Sequence, residues 1–462
     1  MQAPRPKEWN GFPRERTWLL PALDAVQRRS GYVSPDALAG IAEHLRVPLS
    51  EVWGVATQYP EIRLTQPGRR LVRVCTGLSC RLRGADGLLA DCAARLGLTP
   101  GDTAPSGDVT LEAFDCAFAC GVAPVAEVDH ACVGHATADR IAAMLDGRTT
   151  GPSAPERVDP SSRATASPIR SASGTPVERL RALGARRDTG TRFAVGTGTC
   201  GASVGAFGVV DALREEITRR GIEARVVAAG CSGACWAAPT VRVLRPGAEP
   251  VTLGPVRLTE VPRLLDALDV NDLAPFRIAP AFERGQRRLL LERAGIVDPG
   301  DIADAIALGA YAAFANALER STPERIIEEV RTASLAGRGG AYFPTAIKWA
   351  GCRAARGAPK YIVVNAEEGE PGIFKDRHLM EGDPHGLLEG VLLAAHAAGA
   401  SRAILYVHGE ANLSAARLTR AVAQARAVGL VGDRILGTEF SLDIEMRRGL
   451  GGFVLGEETA LL

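Results

Sequence analysis

RRLVRVCTGLSC, residues 69–80, and VTLEAFDCAFAC, residues 109–120, decide the fold. Each is an apolar run of strand character that ends in a loop carrying two cysteines. Between them GADGLLADCAARLGL, residues 84–98, has the period of an amphipathic helix. The order predicts a strand–helix–strand unit, residues 68–135, with Cys75, Cys80, Cys116 and Cys120 gathered at one end. A 2Fe-2S cluster needs four soft thiolates around two irons, and short loops after strands let backbone N–H groups bond the sulfurs as well. Zinc is the rival metal. Structural zinc pairs usually follow C-x2-C, whereas the spacings here are Cys75-x4-Cys80 and Cys116-x3-Cys120.

The 462 residues are too many for one ordinary core and predict two to four domains. With 46% hydrophobic and 23% charged residues, composition is that of a globular chain, and no window approaches the apolar length of a membrane helix. The N-terminus lacks the apolar core of a secretory signal, so the expected location is the cytoplasm, peripheral to the inner face of a membrane if partners place it there. A net charge of +1 with both signs interspersed offers no field for nucleic acid. Ten cysteines in such a chain suit metal or redox work better than disulfides. Cys92, Cys132 and Cys352 lie outside the pattern and read as ordinary small buried residues.

Upstream of the redox unit, SPDALAGIAEHL begins with Ser34 placed to cap a helix, so residues 1–145 read as a helical segment plus the cysteine domain. Residues 146–177, dense in Pro, Ser, Thr, Gly and Arg, read as a flexible linker. Beyond it the redox unit repeats over 178–275. VCTGLSCRLRGADGLL from Val74 parallels VGTGTCGASVGAFGVV from Val195, and CAFACGVAPVAEV from Cys116 parallels CSGACWAAPTVRV from Cys231. In this second copy Gly196 replaces Cys75, Gly201 stands opposite Cys80, and Cys200 is displaced by one. Three cysteines, Cys200, Cys231 and Cys235, remain, which reads as a retained fold without metal unless a fourth ligand joins them. Residues 285–462 form a separate α/β domain, so the whole chain is of α/β class.

That last domain carries three further motifs. GRGGAYFPTAIKW, Gly337 to Trp349, lets backbone N–H groups approach a phosphate, with Arg338 and Lys348 as cations. NAEEGEPG, Asn365 to Gly372, puts Glu367, Glu368 and Glu370 at the C-terminal end of a strand, where open α/β sheets bind ligands. GLGGFVLGEETALL closes the sequence with glycines, carboxylates and Thr459, a helix cap or ligand contact.

With these residues in view the chain resembles a fusion of the two electron-input subunits of respiratory complex I and of soluble NAD-linked hydrogenases and formate dehydrogenases. Residues 16–145 resemble the thioredoxin-like 2Fe-2S subunit through VPLSEVWGVATQYPEI, CTGLSC and CAFACGVAPV. Residues 285–462 resemble the flavin-bearing NADH-oxidising subunit through GRGGAYFPTAIKW, NAEEGEPGIFKDRHLMEGDPH and GEETAL. Residues 178–270 resemble the extra thioredoxin-like domain of the soluble enzymes. The resemblance implies a Rossmann-like domain binding FMN at Gly337, Arg338, Gly339, Gly340, Lys348, Asn365, Glu367, Glu368, Gly456, Glu457 and Glu458. NADH would stack near Phe343, with Glu370 at the nicotinamide end and Phe453 in the family's usual tyrosine position. It further implies a diaphorase-type NADH dehydrogenase module passing electrons to partner iron–sulfur subunits of a formate dehydrogenase, hydrogenase or quinone reductase.

Three positions depart from the family: Glu367 for aspartate, His408 for arginine and Leu455 for cysteine. Relatives continue past GEETAL into a 4Fe-4S segment, so the flavin domain is expected to be incomplete in this sequence. The alternative function is a non-catalytic electron-transfer or assembly protein with an inactive flavin domain. Terminal acceptor, NAD or NADP preference and oligomeric state stay open.

Overall fold

The computed structural model describes residues 8–59, 61–148, 174–184, 190–266 and 277–461. Most of the expected linker, residues 149–173, lies outside the described residues.

Three helices lead: α1 (Leu19–Ser30), α2 (Pro35–Leu45) and α3 (Leu49–Gln58). Ser34 caps α2 as expected, its Oγ accepting the Ala37 N–H at 3.2 Å, with Pro35 in the first turn where no N–H is missed. The apolar faces close on Leu23, Leu38, Ile41 and Val52, and Leu450 from the far end of the chain joins this core.

The first cysteine unit runs β1 (Arg70–Cys75), α4 (Leu78–Leu82), α5 (Ala85–Leu96), β2 (Val109–Phe114), β3 (Ala126–Val128), β4 (Ala131–Val133) and α6 (Ala138–Leu145). Its sheet order is β2-β1-β3-β4. β1 and β2 are parallel in register from Arg70 against Val109 to Cys75 against Phe114. Both strands therefore finish at the same edge, which brings the two cysteine loops together.

After α7 (Pro176–Leu183), the second unit repeats this plan: β5 (Thr191–Gly196), α8 (Thr199–Ser203), α9 (Ala206–Arg220), β6 (Ala224–Ala229), β7 (Val241–Leu244), β8 (Val251–Leu253) and α10 (Val261–Asp266). The sheet order β6-β5-β7-β8 matches the first strand for strand, as the internal repeat predicts. α7, whose start falls in the expected linker, is a capped helix that buries Val177 and Leu180 in the core of the third unit.

That third unit holds α11 (Pro280–Arg284), α12 (Ile302–Ala307), α13 (Ala312–Arg320), α14 (Pro323–Thr332), α15 (Thr345–Ala354), β9 (Tyr361–Ala366), α16 (Asp376–Gly382), α17 (Pro384–Ala398), β10 (Arg402–Val407), α18 (Asn412–Ala427), β11 (Asp443–Arg448) and α19 (Glu458–Leu461). β11-β10-β9 is an all-parallel sheet, packed by α17 and α18 around Leu388, Leu392, Leu405 and Leu418. Parallel strands need crossover helices, so the strand ends and their loops share one edge. Among the described residues no helix is long and apolar enough to cross a membrane.

Candidate redox site

β1 delivers Cys75, α4 carries Cys80, Cys116 follows β2, and Cys120 opens a 3-10 turn. Cys75, Cys80 and Cys116 are buried and Cys120 is half-buried. The Cys75 thiol contacts those of Cys80 and Cys116, and Cys116 contacts Cys120, so the four predicted residues are one group. Their walls are apolar, with Phe114, Val122 and Val125. Backbone N–H groups reach the sulfurs: Phe118 donates to Cys116 Sγ at 3.3 Å, Val125 to Cys80, and Gly372 of the third unit to Cys116. Among the described residues no three His, Cys, Asp or Glu side chains converge on a single metal ion. A two-iron cluster asks for only two thiolates on each iron, and four thiols in a dry, N–H-lined pocket fit that demand.

The second unit shows why its ligand pattern is broken. Gly77 and Gly198 cap equivalent helices, which makes Gly201 the counterpart of Cys80. A Cβ on Gly201 would lie 1.9 Å from the Gly196 carbonyl oxygen, so no cysteine fits there without moving the strand end. Cys200, one residue earlier, instead meets Cys235, whose Sγ lies 3.4 Å from Cys231 Sγ, so the three remaining cysteines form one group beside the first unit's apolar cluster. The two units meet back to back: a Cβ on Gly121 would fall 2.4 Å from Cys235 Cβ, so only glycine permits this approach.

At the edge of the third unit, motifs far apart in sequence converge. The exposed loop Gly337–Gly340 lies between α14 and α15, closed at its base by Gly337 N–H to Phe343 O at 2.9 Å. Lys348 Nζ sits 3.1 Å from Glu458 Oε1 and 5.7 Å from the Phe343 ring. Asn365 at the end of β9 donates from Nδ2 to Gly456 O at 2.7 Å. Arg338, Phe343, Lys348, Asn365 and Glu370 are all open to solvent. Phe453 opens the 3-10 turn Phe453–Gly456.

Two predicted residues have duties the motifs did not announce. Glu368 accepts the backbone N–H groups of Lys375, Asp376 and Arg377, capping α16 with both oxygens. Glu457 accepts the Thr459 N–H at 3.0 Å at the start of α19, so Thr459 is the capped residue rather than the cap.

Of the residues that join these sites, the motif reading named Glu367 as a flavin contact and missed the roles of His408, Glu410, Arg73 and Glu61. Glu367 and His408, two of the three departures from the family pattern, are buried and hydrogen-bonded to each other. Burial opposes the imidazolium, but the bonds to Glu367 and Glu410 outweigh it and push His408 up to about 9. The His408 ring meets Phe118, between Cys116 and Cys120, edge-on at 5.0 Å. Beside it, buried Arg73 is ringed by Glu410 at 3.0 Å, Glu61 and Glu127 at 3.1 Å and Glu112 at 3.6 Å. Burial, then the Glu410 charge, pushes Glu61 up to about 8. The one available signal was an arginine inside an otherwise apolar buried strand. The second unit is tied in similarly, through Arg192 to Asp304 at 2.6 Å and Arg417 to Thr197 Oγ1 at 2.7 Å.

Comparison with known proteins accounts for both ends of the chain. The family thioredoxin-like [2Fe-2S] ferredoxin matches residues 6–149, and the family Nuo51 FMN-binding domain matches residues 330–462. The chain is 47% identical over 154 residues to a subunit of NADH-quinone oxidoreductase from Rhizobium meliloti (strain 1021), covering 33% of this chain and 37% of that protein. It is 42% identical over 184 residues to the HndC subunit of the NADP-reducing hydrogenase of Solidesulfovibrio fructosivorans, covering 40% and 37%. The chain thus spans little more than a third of these relatives. A solved NAD+-reducing [NiFe]-hydrogenase in the air-oxidized state shares the fold over 97% of this chain and 54% of its own, with TM-score 0.54 and 22% identity. A 2Fe-2S domain of thioredoxin-like type and an FMN-binding domain of Nuo51 type are therefore joined in one chain.

Proposed function

We propose that this chain is an electron-entry module that oxidises NADH, or in reverse reduces NAD+, with FMN on the third unit and a 2Fe-2S cluster on Cys75, Cys80, Cys116 and Cys120. The carrying observation is the segment Glu367–Arg377. It leaves the C-terminal end of β9 beside Asn365 and Gly456 and arrives at Cys116 through the Gly372 N–H. When bound, FMN supplies hydride acceptance and one-electron release, and the cluster a one-electron store.

The chain's own residues supply geometry. Gly337, Gly339 and Gly340 leave backbone open to a phosphate, with Arg338 and Lys348 as counter-charges. Asn365 ties the Gly456 turn, which Phe453 opens, to the strand end, and Glu367 lies beside that turn. Phe343 and exposed Glu370 take the nicotinamide side. Glu368 contributes indirectly, holding α16 and with it Arg377 in place. Phe118 against His408 would pack between the flavin side and the cluster. The partners would be other redox subunits carrying iron–sulfur clusters, of formate dehydrogenase, hydrogenase or quinone reductase type, and any membrane association would run through them.

The test is an anaerobic NADH titration of the chain reconstituted with iron, sulfide and FMN, following flavin and cluster absorbance together. Bleaching of both supports the module. A cluster that only dithionite reduces, with no flavin retained, refutes it and leaves an iron–sulfur protein beside an inert flavin fold.

A further inference from the structure

Arg377 on α16 is 4% exposed, yet its Nε and Nη1 have no hydrogen-bond partner; Nη2 lies 4.0 Å from Cys200 Sγ. Glu381 and Glu368 lie near enough to offset part of its charge but give their hydrogen bonds to other groups. Glu368 is filled by the backbone of α16, and Glu381 accepts Thr199 N–H at 2.8 Å, Thr199 Oγ1 at 2.5 Å and Ser414 Oγ at 3.2 Å. With Ala117, Phe118, Cys132 and His408, Arg377 lines a cavity where the three units meet. Its charge bears on the thiols of Cys120, Cys132, Cys200 and Cys231.

A guanidinium is charged at any working pH, and a buried one with two idle N–H groups has room for a further negative partner beside Glu381 and Glu368. Its nearest sulfur is Cys200 of the second unit, and it shares the cavity with Ala117 and Phe118, the loop between Cys116 and Cys120. We propose that Arg377 is a positioning residue for electron transfer, stabilising the negative charge that a cluster on Cys75, Cys80, Cys116 and Cys120 gains when it accepts an electron. This role rests on those four cysteines holding the cluster. The step adds one electron from the donor to the cluster; no bond to the protein forms or breaks and no proton moves. Without Arg377 the reduced form is disfavoured and the reduction potential falls.

The experiment is a dithionite redox titration of the full reconstituted chain, read by the electron paramagnetic resonance of the reduced cluster, on wild type, Arg377→Met, Arg377→Gln and Arg377→Lys. Iron and sulfide content are measured on each. At the wild-type midpoint, Met and Gln variants with full clusters should show at least a tenfold lower ratio of reduced to oxidised cluster, about 59 mV for a one-electron couple. The Lys variant should recover most of it. An unchanged midpoint in a fully loaded Met or Gln variant overturns the role of Arg377 while leaving the cluster assignment intact. A wild-type chain that takes up no cluster overturns the assignment itself, and this proposal with it.

Discussion

Replacing Arg73 with methionine keeps most of the side-chain volume and deletes the cation at the centre of the carboxyl cage. Glu61, Glu127 and Glu410 lie 3.0–3.1 Å from its guanidinium and Glu112 3.6 Å away, and Arg73 itself is 6% exposed. Removing one partner of a buried ion pair typically costs about 3–5 kcal/mol, because the remaining charge is left without compensation. Proton uptake moderates the loss here: burial already holds Glu61 up at about 8 and raises Glu127. The full ~3–5 kcal/mol is therefore expected near pH 8.5 and a smaller loss near pH 6. The assay is urea unfolding at both pH values, comparing the transition that reports the first cysteine unit. Arg73→Met/Glu410→Gln should recover at least ~1 kcal/mol over Arg73→Met, as coupled neighbours do. A variant within about 1 kcal/mol of wild type at pH 8.5, or a double variant no better than the single, would refute the reasoning.

Cys120→Ser should abolish the visible absorbance and iron content of the reconstituted chain, whereas Cys92→Ala, in the apolar core beneath α5, should retain both. Lys348→Ala, exposed and paired with exposed Glu458, should weaken FMN binding in a fluorescence titration while changing stability by less than about 0.5 kcal/mol. Glu61 and His408 both have folded values raised, from 4.5 to about 8 and from 6.5 to about 9. Their stabilising contributions are complete below the unfolded values and are lost as pH rises through the folded ones, so stability measured by urea midpoint should fall between pH 4.5 and 9. In His408→Asn the decline above pH 6.5 should shrink, and an unaltered profile there would show that His408 does not titrate in this range.

Strands, helices and caps were legible because they are local. Ser34 ahead of α2, the apolar run into Cys75 and the glycines around α4 and α8 each specify their conformation within a few residues. The duplicated sheet could likewise be read, since pattern repeats with fold. The sequence also displayed the four cysteines, the glycine loop and the Asn365 strand end as separate motifs. What it could not display was their mutual arrangement. Arg73 and Glu410 are 337 positions apart, and nothing near either residue signals the other. Glu367 read as a flavin contact and His408 as an isolated departure until the fold paired them, and nothing in the motif showed that Glu368 meets the backbone of α16. Periodicity encodes which face of an element is buried, whereas the partner of a buried charge depends on how units dock, a sum of many weak contacts between distant segments. The residue types available to this chain were therefore determined by its sequence, and the arrangement that joins the end of β9 to the cysteines was decided by its tertiary structure.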